Sequence, residues 1–150
     1  MDSIVSRAPA PAHEVVIRLA GEPKAKGRPR FNRASGRAFT PQATRSYEAM
    51  LRYAAQETMG DRPLMTGAVE VVLVASFSIP KSFSKAKRAE ALAGTRRPVV
   101  KPDVDNLLKS IDALNGVVFE DDKQIVSATV QKFYREKPEL AIRVTSCEAA

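Results

Sequence analysis

The sequence predicts an α+β domain, with a small mixed or largely antiparallel sheet of about four strands covered by helices. Three observations predict it. Four strand-length segments, near 13–20, 68–79, 124–134 and 140–145, are rich in alternating or continuous apolar residues. Three other segments, near 41–59, 85–93 and 106–114, carry helix start and stop signals, and the first and last of them add an apolar stripe. A chain of 150 residues with 44% hydrophobic content suits one domain, residues 1–150, with its own core and short tails at 1–12 and 148–150.

Taken in order, His13 to Ala20 reads as a short apolar strand that Gly21 and Pro23 end. Lys24-Ala-Lys-Gly-Arg-Pro-Arg-Phe-Asn-Arg33 follows, and Gly27, Pro29 and Gly36 argue for a loop. Thr40-Pro41 opens a helix in the favoured order, cap then proline. That helix runs to about Met59, with Tyr47, Met50, Leu51, Ala54 and Ala55 as its apolar stripe and Arg45 and Arg52 elsewhere on it, facing DNA or water. Ala68 to Ile79 is apolar in both phases at its middle, as a central strand is. Ser82 or Ser84 caps a short basic helix, Lys85 to Ala93, that Gly94 stops. Gln124 to Tyr134 alternates as a strand, and Leu140 to Thr145 is the last one.

Composition narrows the function classes. A net charge of +7 points to nucleic acid first and an anionic membrane second. No apolar run approaches membrane-spanning length, so a membrane role is not expected. The single cysteine, Cys147, cannot form an intrachain disulfide and agrees with a reducing cytoplasm. The single histidine, His13, argues against a zinc site or a histidine-based triad.

Against this basic background the acid is concentrated in one place, Lys101-Pro-Asp-Val-Asp-Asn-Leu-Leu-Lys109, Asp112 and then Glu120-Asp121-Asp122. Asp105 is a good helix N-cap and Asn115-Gly116 a good stop, which predicts a helix from about Asn106 to Leu114. Leu107, Leu108, Ile111 and Leu114 share one face of it, and Asp105, Lys109 and Asp112 the other. In an extended lead-in Asp103 points the same way as Asp105, so the two can converge. An acidic residue at the mouth of the 124–134 strand can return to the helix start. Such an all-oxygen set suits a hard cation, Mg²⁺ or Mn²⁺. The same residues also read as a capped helix with dipole-favoured acids in its first turn, Lys109 as a solvated partner of Asp105, and Asp121-Asp122 as turn residues. The cations at 24–37, with Phe31 among them, and the Thr95-Arg96-Arg97-Pro98 loop can follow a phosphate backbone.

The 101–109 run, Asp112-Ala-Leu, Asp121-Asp122 before Gln124-Ile-Val, and the upstream Gly21-Glu-Pro-Lys-Ala-Lys-Gly-Arg-Pro-Arg30 with Phe39-Thr-Pro41 together resemble the RusA family of Holliday-junction resolvases, over roughly residues 15 to 145. The resemblance implies a homodimer that cuts four-way DNA junctions with magnesium. It implies metal-binding aspartates at Asp103, Asp105 and Asp122, with Asp121 an alternative third ligand, a functional lysine at Lys109 and a supporting role for Asp112. The expected DNA contacts are Lys24, Lys26, Arg28, Arg30, Arg33, Arg96 and Arg97. The competing readings are a non-enzymatic nucleic-acid-binding protein and a nuclease with the same site acting on forks or flaps. For the dimer interface the sequence offers the Ala68–Ile79 strand or Val117-Val118-Phe119.

Overall fold

The computed structural model describes residues 13–24, 30–32, 34–39 and 42–148. Four strands form its main sheet: β1 (Glu14–Ala20), β4 (Val69–Ser78), β5 (Ile125–Arg135) and β6 (Glu139–Ser146), in the order β1-β6-β4-β5. Strand β6 pairs antiparallel with both β1 and β4, whereas β4 and β5 are parallel, so the sheet is mixed. The parallel pair follows from the long connection between them, which carries two helices and returns the chain to the end of the sheet where β4 began. The fold is α+β, as the residue patterns predict.

Alternation decides which face is inside. Val15 and Ile17 of β1, Val71, Leu73 and Ala75 of β4, and Leu140, Ile142 and Val144 of β6 are all buried in one core. Helix α1 (Gln42–Met59) lays Tyr47, Leu51, Ala55 and Met59, each four residues apart, onto that face. Leu51 is fully buried, and its truncation to alanine would cost about 2–5 kcal/mol. Met50, expected in this stripe, is 52% exposed, because the seam is only one residue wide and Met50 lies beside it. The opposite face of the sheet is only partly covered, with Val16, Val72, Val74 and Ala141 at intermediate exposure.

Several local expectations change. The basic segment expected to be a loop contains a small hairpin, β2 (Arg30–Asn32) with β3 (Arg37–Phe39), turning at Gly36. Thr40 and Pro41, expected to start α1, lie outside the described residues. Helix α2 (Lys85–Ala93) is capped by Ser84, whose hydroxyl accepts from the Lys87 N–H, and ends at Gly94 with φ +83°. The helix expected over 106–114 begins earlier and changes character: α3 spans Val104–Lys109, and Ser110–Leu114 is a 3-10 turn. Ser110 is buried and its hydroxyl donates to the Leu107 carbonyl at 2.6 Å. This bond, three residues back, accompanies the tightening from α to 3-10. Leu107, Ile111 and Leu114 enter the core, while Leu108 is only half-buried. Arg52, considered for DNA contact, instead donates to the carbonyls of Ala113 and Asn115 at 3.3 and 3.0 Å and caps the end of that turn. Val117, Val118 and Phe119 are buried within the chain, so they do not form an exposed apolar patch.

Candidate active site

The site is built where α3 meets the start of β5. Asp103 is in extended conformation and caps α3, one carboxylate oxygen accepting from the Asn106 N–H at 3.1 Å. The cap therefore falls on Asp103, two residues before the expected Asp105, because the chain already turns helical at Val104. Asp105 sits in the first helical turn, where the macrodipole favours an acid. Its Oδ2 lies 3.8 Å from the Lys109 Nζ one turn on. Both side chains are largely exposed, so this pair contributes little to stability.

The second acidic segment is held by an amide. The Gln124 Oε1 accepts from the N–H groups of Glu120 and Asp121 at 2.9 and 3.0 Å. Its Nε2 donates to the carbonyls of Met65 and Gly67, both at 3.0 Å. One side chain thus fastens the acidic turn to the segment entering β4. Gly67 has φ +73°, and a Cβ there would meet the Glu148 carboxylate, so glycine suits this anchor point. Sequence reading took Gln124 only as the start of a strand after the acidic pair and missed this fastening role; its position two residues after that pair was the available signal.

Asp105, Lys109, Asp112 and Asp122 line one open cleft of about 260 Å³, floored by Leu108, Ile111, Ile125 and Ala128. Three of the four expected catalytic residues are thereby brought together, and Asp112 joins them. Asp103 lies next to this group through α3 but does not line the cleft, and neither does Asp121. The Asp122 carboxyl is held above the usual carboxylate range, first by a hydrogen bond with Asp112, then by partial desolvation and the charges of Asp121 and Asp112. Such a carboxyl–carboxyl hydrogen bond needs a proton on one partner, and it marks a spot with more negative charge than the protein neutralises. Among the described residues no three acidic side chains form a ready-made metal cage. The donor set nevertheless fits a hard cation: it is all carboxylate, it is crowded, and Asp103 uses only one oxygen for its cap.

The expected DNA contacts divide. Lys26, Arg28 and Arg33 lie outside the described residues, and Arg30 belongs to β2. Lys24 is exposed. Arg96 is ion-paired with Glu90 at 2.7 Å. Arg97 is exposed, donates from Nε to the Lys132 carbonyl at 2.6 Å and lies 3.7 Å over the Phe133 ring.

A family model described as endodeoxyribonuclease RusA matches residues 20–145, which include every cleft residue. The chain belongs to the RusA family. Membership of that family makes it an endodeoxyribonuclease by kind, and its cleft lies within the matched region. This RusA-family chain is also similar to the uncharacterized protein YqaN of Bacillus subtilis (strain 168), at 37% identity over 134 residues, covering 86% of this chain and 94% of YqaN. No helix among the described residues of the RusA-family chain is long and apolar enough to cross a membrane.

Proposed function

We propose that this RusA-family protein resolves Holliday junctions by paired, symmetric, magnesium-dependent hydrolysis of phosphodiesters, and so acts in DNA recombination and repair in the cytoplasm. One observation carries the reading: Asp105, Asp112, Asp122 and Lys109 share one open cleft in a basic member of an endonuclease family. Asp103, Asp105 and Asp122 would hold Mg²⁺, or Mn²⁺ in its place. The ion would polarise the scissile phosphate and make its bound water more acidic. Asp112 would orient Asp122 through their hydrogen bond. Lys109, already beside Asp105, would stabilise the charge that develops on the phosphate. The cations of 24–33 and the 95–98 loop would position the DNA arms without reading sequence.

Two symmetric nicks require two sites, and one site per chain then requires a two-fold dimer. The half-exposed outer face of β4, with Val72 and Val74, is the surface we assign to that contact. The test is cleavage of four-way, forked and linear DNA with and without Mg²⁺. Symmetric nicks in the four-way substrate are expected, absent with chelator and reduced at least a hundredfold (about 3 kcal/mol of barrier) in Asp105→Asn. Preference for forks would replace the substrate, and binding without cutting under any divalent metal would leave a nucleic-acid-binding protein.

A further inference from the structure

The C-terminal end of β5 carries an arrangement that the cleft does not use. Phe133 has two guanidinium groups against it: Arg97 at 3.7 Å from the ring centroid and Arg135 at 4.9 Å. Arg97 is fixed further by its bond to the Lys132 carbonyl, and Lys132 in turn donates to the Val100 carbonyl of the same loop, the two contacts tying that loop to the strand. Among the described residues no carboxylate is ion-paired with either Arg97 or Arg135, whereas Arg18, Arg88, Arg96 and Arg143 each have one. Two like charges are therefore held around one aromatic ring without an anion. Stacking leaves the outward N–H edges of a guanidinium free, in the fork geometry that matches a phosphate.

The location is informative. Tyr134 is buried and meets Phe83 edge-on at 5.5 Å on the inner side. By alternation Phe133 and Arg135 point to the outer side. The carboxylate cleft lies at the other end of β5 and on the inner side, where Ala128 lines it. Five residues at ~3.3 Å each put the two roughly 16 Å apart along the strand. A straight duplex lying over the cleft stays on one side of this edge strand. A second arm leaving a branch point can pass round to the other side.

We propose that Arg97, Phe133 and Arg135 form a preorganised phosphate-binding platform for a second DNA arm, so that it contributes to selection of branched over linear substrate. The proposal rests on the reading of the substrate as branched DNA. It is tested by anisotropy titrations of a labelled four-way junction and of linear duplex, over a range of salt, with chelator present so that nothing is cut. Arg97→Ala with Arg135→Ala should weaken junction binding roughly tenfold or more and lower the slope of log affinity against log salt by about two, with less than a threefold effect on linear duplex. Arg97→Lys should restore the slope but not the affinity, because it keeps the charge and loses the flat stack. Arg135→Ala alone, which leaves the Arg97 loop bond in place, should lower the slope by about one and covers the case in which the double variant does not fold. Unchanged junction affinity and slope in folded variants, on a junction that the wild type binds and cuts, would overturn the platform alone. Equal losses on junction and duplex, full recovery in Arg97→Lys, or a changed sedimentation coefficient would also overturn it. A wild-type chain that binds no branched DNA would instead remove the substrate reading on which it stands.

Discussion

Asp122 shows how a neighbouring carboxyl can change the acidity of an exposed one. Its carboxyl is raised mainly because Asp112 shares a hydrogen bond with it. In the folded state it therefore keeps its proton to higher pH than in the unfolded chain. Between the two midpoints the native state binds more protons, so stability falls as pH rises through that window and the penalty is complete above it. Asp112→Asn should remove most of this penalty. In metal-free buffer the variant should melt higher than wild type above the window and alike below it, by no more than about 3 °C because Asp122 faces water. Thermal melts across acidic to neutral pH check this; an equal difference at every pH would mean that the two carboxyls do not share a proton. Residue-scale reading of the sequence placed Asp105, Lys109 and Asp112 on one helix face, and the cleft contains all three. It did not reach the Asp112–Asp122 bond or Gln124, because both depend on how the crossover chain folds back after Phe119, which no local periodicity encodes.

At the scale of the element, α3 raises the question of whether Asp103 serves the helix or the chemistry. Substitution separates the two. Asparagine caps a helix about as well as aspartate, whereas alanine does not. Asp103→Asn should therefore keep stability within about 0.5 kcal/mol and still lose cleavage, while Asp103→Ala loses cleavage and about 1 kcal/mol as well. Denaturant melts alongside junction cleavage decide the matter: full activity in Asp103→Asn would reduce this residue to a cap. Elements were legible where caps and periods agreed, as in α2 between Ser84 and Gly94. They were misjudged where a side chain redirected the backbone, as at Ser110, where the bond to Leu107 accompanies the end of α3 and the start of a 3-10 turn. The β2–β3 hairpin was missed because its strands are three residues each, too short for alternation to register.

For the whole molecule, the sheet with one filled face and one half-exposed face is the feature that bears on assembly. The sequence pointed to the long β4 strand because both its phases are apolar. The structure buries one phase and leaves Val72 and Val74 on the other at intermediate exposure. If this face joins two copies, Val74→Glu should convert a dimer into a 16.4 kDa monomer while the chain stays folded. Sedimentation at micromolar concentration and a circular-dichroism melt test it. The monomer should nick a junction on one strand at a time rather than in symmetric pairs. A wild-type chain that sediments as a monomer both free and with junction bound would remove paired resolution from the proposed function.

The strand order also sets a timetable. Strand β6, residues 139–146, lies between β1 and β4 and is their common neighbour. On a translating ribosome β1, α1 and the whole acidic segment emerge before it. Until β6 is free of the exit tunnel, no strand bridges the first strand to the β4–β5 pair, and the core that supports α3 stays incomplete. The half-made chain therefore has its carboxylates but no sheet to hold them in register. In a chain with this topology the support for the carboxylates is therefore the last part to be completed.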